Sequence, residues 1–303
     1  FYTDTSCMKR KWIRRVGWIL LTPIILFVIL MVLLYIPPVQ NLLRREVTAY
    51  ASKATGMQIQ VERIDLRFPL NLLVRGVEVI QQPDTLLSLE SLNVRVQAWP
   101  LLKGKVEVDE VTLSQVAVNS ANLIEGMQIK GVLGRFFLQS HGVDLSNETA
   151  VVNRTELSDT HIQLLMTDTT TTPKDTTASA PVNWKVNLHQ LKLKNVSFGM
   201  KLPADSMKMA AYIGEATIDD AKADLKNQFY GLKQFLLSGA SASYDTGEAQ
   251  PSEGFDASHM AVRNIRIGLD SLLYEGRNMN AVIREITMEE RSGPVSYTHL
   301  TLP

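Results

Sequence analysis

Residues 59–80, IQVERIDLRFPLNLLVRGVEVI, decide the fold class. Apolar side chains stand at Val61, Ile64, Leu66 and Phe68, then at Leu72, Val74, Val77 and Val79, with polar or charged residues between them. A spacing near two sends alternate side chains to opposite faces of an extended chain, so this is strand sequence with one apolar face. The pattern continues through Leu89, Leu92, Val94, Val96 and Ala98. Turn residues punctuate it at Phe68-Pro69, Arg75-Gly76, Gln82-Pro83-Asp84, Trp99-Pro100 and Lys103-Gly104. The expectation is a mainly β protein built of short strands.

Farther along, Val111-x-Leu113-x-x-Val116-x-Val118 and Leu191-x-Leu193-x-x-Val196-x-Phe198 share one template, and Ile64-x-Leu66 and Ile265-x-Ile267 are partial copies of it. The doubled spacer shifts the apolar face by one residue, as a bulge or bend does. Such repetition predicts strands added in series along an elongated sheet rather than a closed, compact domain. Residues 167–181, TDTTTTPKDTTASAP, are polar and aperiodic and read as a disordered loop between two β-rich segments, 57–166 and 182–293. Residues 248–255 (EAQPSEGF) read as a shorter loop of the same kind.

Upstream of the strands the period is helical. Residues 37–56 carry Val39, Leu42, Leu43, Val47, Tyr50, Ala51 and Ala54 at amphipathic spacing, with Pro38 in the first turn and Gly56 as the stop. Before that, residues 16–36, VGWILLTPIILFVILMVLLYI, hold no charge and would span roughly 30 Å as a helix, the hydrocarbon thickness of a bilayer. Val16, Trp18, Leu21, Leu26, Phe27, Leu30, Leu33, Tyr35 and Ile36 form the expected membrane anchor, with aromatic rings near both ends. The run is longer than a signal-peptide core and no small-x-small cleavage site follows it, so the anchor reads as uncleaved. Lys9, Arg10, Lys11, Arg14 and Arg15 before the run outnumber Arg44 and Arg45 after it. The positive-inside rule then keeps residues 1–15 in the cytoplasm and exports the bulk of the chain. Residues 1–7, ahead of Met8, and 294–303, which break the preceding pattern, read as foreign to the protein, which on this reading continues past Gly293.

Composition removes several function classes. Lys plus Arg and Asp plus Glu both number 31, which leaves no global field for nucleic acid. The sole cysteine, Cys7, allows neither an internal disulfide nor a CxxC metal site. His141, His161, His189, His259 and His299 are scattered, and no HExxH, GxSxG or GxxxxGK[ST] motif occurs. His141 with Asp144, and Asp159 with His161, set a carboxylate near an imidazole at a spacing common on solvated loops. The expectation is no enzyme, no catalytic residue, no metal and no cofactor.

The order of several pieces resembles the N-terminal part of the AsmA-like superfamily, most closely its TamB-type translocation and assembly module members, with an insert like those of Bacteroidota. The pieces are the anchor, PVQNLLRREVTAYASKATG, IQVERIDLRFPLNLLVRGVEVI, LLSLESLNVRVQAWPLLKGKVEVDEVTLSQVAV, NLIEGMQIKGVLGRFF and LHQLKLKNVSFGMKL, together spanning roughly residues 9–291. The resemblance implies a single-pass bacterial inner-membrane protein whose elongated β-sheet crosses the periplasm, curled into a trough with an apolar lining. It also implies inner-membrane lipid and phospholipid cargo as partners, with an outer-membrane barrel of the BamA/TamA type at the far end.

A phospholipid with about 30 methylenes, each worth about 0.8 kcal/mol on leaving water, faces a barrier on the order of 20 kcal/mol or more in an aqueous space. An apolar trough lowers that barrier without any catalytic group. The candidate lipid-facing residues are Val94, Val96, Val106, Val108, Val111, Leu113, Val116, Val118, Leu191, Leu193, Val196 and Phe198. Two other functions fit the same sequence: a factor that assists insertion of outer-membrane proteins, and an envelope enzyme whose catalytic part lies beyond residue 293.

Overall fold

The computed structural model describes residues 36–302, apart from 68–69, 98–99, 101–106, 121–122, 124–125, 145–146, 167–182, 204–205, 248–255, 257 and 291–292. One helix, α1 (Pro37–Thr55), precedes thirteen strands. These are β1 (Gln58–Arg67), β2 (Asn71–Gln81), β3 (Asp84–Val96), β4 (Val108–Asn119), β5 (Met127–Asp144), β6 (Thr149–Met166) and β7 (Lys185–Leu202). They continue with β8 (Met207–Asp224), β9 (Phe229–Leu232), β10 (Gln234–Asp245), β11 (His259–Glu275), β12 (Asn278–Glu290) and β13 (Gly293–Leu302). The mainly β expectation holds, and all the strands lie in one sheet.

Strand order follows chain order from β1 to β8 and then β10 to β13, with short β9 beside β8 and β11. Every pairing is antiparallel except β6 with β7. A parallel pair cannot be joined by a hairpin and needs a crossover of about a dozen residues or more, a length that residues 167–184 supply. The sheet runs without a break through this pair, so the segments on either side of the Thr-rich stretch share one ladder. Residues 294–302, within the stretch read from sequence as foreign, fall in β13, which pairs with β12 as the last strand.

The strands are longer than the alternation predicted: β5, β6, β7 and β8 each run 18 residues. The cause is visible in the backbone. Gly76, Gln115, Asp159, Asn195, Gly239 and Asn264 all adopt positive φ, between +49° and +61°. Each sits inside a strand, and the register puts them on one line across the sheet. Ser91↔Ser114 and Leu89↔Val116 bracket Gln115, Ser158↔Lys194 and Thr160↔Val196 bracket Asp159 and Asn195, and Arg75↔Ser91 and Val77↔Leu89 bracket Gly76. This line is a crease. Arg75-Gly76, expected as a turn, is therefore strand interior, where the left-handed glycine reverses the side-chain parity and leaves the chain direction unchanged.

The crease explains the doubled spacer. Residues of the apolar rows on its two sides, such as Ile64, Leu89 and Ala216, and Thr160 among them, are buried. The adjacent polar pairs at the crease, Glu62-Arg63, Ser238-Gly239 and Arg263-Asn264, are exposed. Two consecutive polar side chains thus share the solvent face, and the apolar ones return to the other face after three residues instead of two.

Helix α1 starts on Pro37 and Pro38 and stops at Gly56, whose φ of +69° lets its N–H close back on the Ser52 carbonyl. It packs on β1 and closes that edge: Arg44 Nη1 donates to the carbonyls of Val61 (3.4 Å) and Glu62 (3.2 Å), and the Ile59 N–H donates to Ser52 Oγ (3.1 Å). Leu42 and Tyr50 face away, 57% and 78% exposed. Among the described residues no helix is long and apolar enough to cross a membrane. The expected anchor and the basic residues 9–15 lie outside the described residues, except Ile36, which caps α1.

Candidate functional site

Cα partners in a sheet present their side chains on the same face, so the register sorts the apolar residues into rows that cross the strands. The row next to the crease reads Ile64, Val74, Leu92, Leu113, Phe136, Leu157, Leu193, Ala216, Leu237, Ile267 and Ile286, each the direct partner of the next. Eleven strands contribute, and none places a polar residue in the row.

A parallel row two residues away runs through Leu66, Leu72, Val94, Val111, Leu138, Thr155, Leu191, Ile218, Phe235, Leu269 and Ile283, with Thr155 its one hydroxyl. Across the crease, Val61, Val77, Leu89, Val116, Leu133, Thr160, Val196 and Ile213 form a third. Beyond it Val118, Gly131, Ile162, Phe198 and Ala211 form part of a fourth.

Most of the sequence-predicted lipid-facing residues are thereby brought together. Leu113 and Leu193 share one row, Val94, Val111 and Leu191 another, Val116 and Val196 the third, and Val118 and Phe198 the fourth. Val96 and Val108 pair with each other beside a register shift at the strand ends. Val106 lies outside the described residues.

Sequence reading named the apolar residues of β2 and most of those of β3 without matching them to the template, and it missed β8. Leu87-x-Leu89-x-x-Leu92-x-Val94 in β3, Leu72-x-Val74-x-x-Val77-x-Val79 in β2 and Ala211-x-Ile213-x-x-Ala216-x-Ile218 in β8 carry the same template. Aligning β2 on Gly76 and β8 on Gly214 would have found those two, while β3 carries Glu90-Ser91 at its doubled spacer and is found by its apolar spacing alone.

Among the described residues little covers the face, and helix α1 lies at the β1 edge. No large side chain among them is fully buried, and Val118, Ile162 and Phe198 of the fourth row are 37%, 40% and 39% exposed. The sheet is also hollowed. Six neighbouring strands, β5, β6, β7, β8, β10 and β11, border one space of about 720 Å³ at the same end of their length. A second space, of about 550 Å³, lies at the opposite ends of β8, β11 and β12 against β9.

Polar groups on the other face pair among themselves. Asp220 accepts from Lys233 Nζ at 2.7 Å and lies 3.1 Å from His189 Nδ1. Those contacts hold its carboxyl below the usual range, the Lys233 hydrogen bond most of all. Asp224 is lowered in the same direction, chiefly by the Asn227 N–H, and the Asp270 carboxylate raises the Arg284 guanidinium. Of the two imidazole–carboxylate spacings noted in the sequence, Asp159 and His161 take different partners: His161 Nδ1 meets Ser197 Oγ at 2.6 Å, while Asp159 accepts from Asn195 Nδ2 at 2.7 Å; the side chain of Asp144 lies outside the described residues. His141 Nδ1 meets Asn153 Nδ2 at 3.2 Å. Among the described residues no three His, Cys, Asp or Glu side chains gather as a metal site. No family model matches the chain, and no curated protein matches it significantly.

Proposed function

We propose that this chain is a membrane-anchored, AsmA-like protein of the TamB type whose sheet carries phospholipid acyl chains along its apolar face, between the inner and outer membranes of a bacterial envelope. The observation that supports the reading is the uninterrupted apolar row from Ile64 to Ile286. At about 4.8 Å per strand spacing its ten steps span roughly 48 Å, longer than the hydrocarbon thickness of a bilayer. A row that long with no polar interruption gives an acyl chain a path without a desolvation step along it. A sheet whose apolar face met a partner layer of its own chain would hold fully buried large side chains instead.

The test is lipid transfer between vesicles by the purified chain. Replacing Leu113 and Leu193 with Asp sets two charges in the middle of the path. Transfer of a fluorescent phospholipid is expected to fall more than tenfold, since each buried carboxylate costs more than 1.4 kcal/mol against a hydrocarbon neighbour. Unchanged transfer by a folded double variant would reject the path. Capture of unfolded outer-membrane protein on the same face, with no lipid moved, would favour the assembly-factor reading.

A further inference from the structure

Helix α1 carries an apolar stripe that the described residues leave open. Val39, Leu42, Leu43, Val47 and Tyr50 recur at i, i+3, i+4, i+8 and i+11, the spacing of one helix face, with Glu46 the single charge on it. A surface helix ordinarily turns such a stripe onto the core. Here the hydrogen bonds to β1 run through Arg44 and Ser52, which stand off the stripe, and no residue of α1 is buried. Val39 and Leu43 are half-buried, while Leu42, Val47 and Tyr50 are exposed.

What covers the stripe follows from where the helix begins. The uncharged run 16–36, read as the membrane anchor, ends on Ile36, which caps α1 and is itself exposed. A helix that starts on the residue after a span starts in the head-group layer. Tyrosine suits that layer, because its ring takes the apolar side and its hydroxyl the wet one. The charges agree: Arg44, Arg45 and Lys53 stand against Glu46, the only acid of the helix, and basic residues beside an apolar face favour a phosphate surface.

Resting on the membrane-anchored reading, we infer that α1 lies in the plane of the bilayer surface, with its stripe against the head groups and the upper part of the acyl chains. Because α1 packs on β1, this seating puts the β1 end of the apolar rows at the membrane.

The experiment is fluorescence quenching on the full chain in vesicles of phosphatidylethanolamine and phosphatidylglycerol. Cys7→Ser removes the sole cysteine, and Leu26→Cys, Leu42→Cys, Arg45→Cys, Val47→Cys and Tyr50→Cys then each offer one site for an environment-sensitive fluorophore. A phospholipid with a nitroxide on its acyl chain quenches from the bilayer, and iodide quenches from water. Labels at 42, 47 and 50 are expected to lose most of their emission to the nitroxide and little to iodide, with the reverse at 45. Position 26 reports the anchor by itself. Nitroxide quenching at 26 together with iodide quenching at 42, 47 and 50 would overturn the seating and leave the anchor standing. Shielding of 42, 47 and 50 from both quenchers would mean that protein covers the stripe, and would overturn the seating equally. A label at 26 open to iodide would overturn the anchored reading and the seating with it.

Discussion

Asn195 holds φ at +54° in the middle of an 18-residue strand and donates from Nδ2 to Asp159 at 2.7 Å. Asn is among the few side chains that tolerate the left-handed region, because its amide can bond locally, while a β-branched residue clashes there. Asn195→Gly is expected to stay near wild-type stability, and Asn195→Val to lose roughly 1–2 kcal/mol or more. Urea unfolding of the two variants checks this; a valine variant as stable as the glycine one would mean that the crease does not need that backbone state. Gly76 adds a steric version of the same demand, since a Cβ there would come within 2.7 Å of Glu62 Cβ.

At Asp220 the sign of the pH effect is fixed by the lowered carboxyl. A carboxyl whose folded value lies below its unfolded one favours the fold above the unfolded value. It loses that contribution as pH falls through the lowered value. Lys233→Gln removes the leading cause, so an NMR titration should show the Asp220 carboxyl moving up toward the ordinary range. The class and the apolar faces were legible at this scale because alternation is a local signal. The crease was read only in β4 and β7, although β2 and β3 also carry large apolar residues at all four template positions. Elsewhere Thr155, Thr160, Gly131, Ala211 and Ala216 stand in template positions and mute the pattern.

At the scale of elements, the edges of the sheet matter most. A free edge strand presents unpaired N–H and C=O groups and invites association with another chain. Helix α1 blunts the β1 edge through Arg44 and Ser52 rather than through apolar burial, for none of its residues is buried. Arg44→Ala with Ser52→Ala is expected to cost about 1–3 kcal/mol for the hydrogen bonds lost, and to raise self-association in sedimentation measurements. A double variant that stays monodisperse and equally stable would show the helix to be no edge cap. The helix and its glycine stop were readable from spacing. Its capping role was not, because the partners of Arg44 lie 17 and 18 residues away in sequence. Strand length was misjudged for a related reason: Gly, Asn and Asp mark turns and creases alike, and only pairing to a neighbour tells them apart.

For the whole molecule, serial strand order has a physical consequence. Each antiparallel strand pairs mainly with neighbours close in sequence, so rows of like residues arise whenever each strand repeats the template in register. The apolar path is then a property of the repeat and needs no clustered motif, which is why motif search found no site. The parallel β6/β7 step keeps the path intact, because Leu157 still meets Leu193 and Thr155 still meets Leu191. No periodicity in either segment announces that step, and it becomes visible only in the pairing.

The central claim is that one face of this creased sheet touches acyl chains, and photocrosslinking along β4 tests it most directly. Photoreactive residues placed singly from 111 to 118 in the membrane-bound chain, followed by mass spectrometry, should give lipid adducts at Val111, Leu113, Val116 and Val118. Thr112, Ser114 and Ala117 should stay free of lipid, the switch in parity falling at Gln115. Adducts that keep one parity through Gln115, or protein adducts alone at all eight positions, would contradict the account.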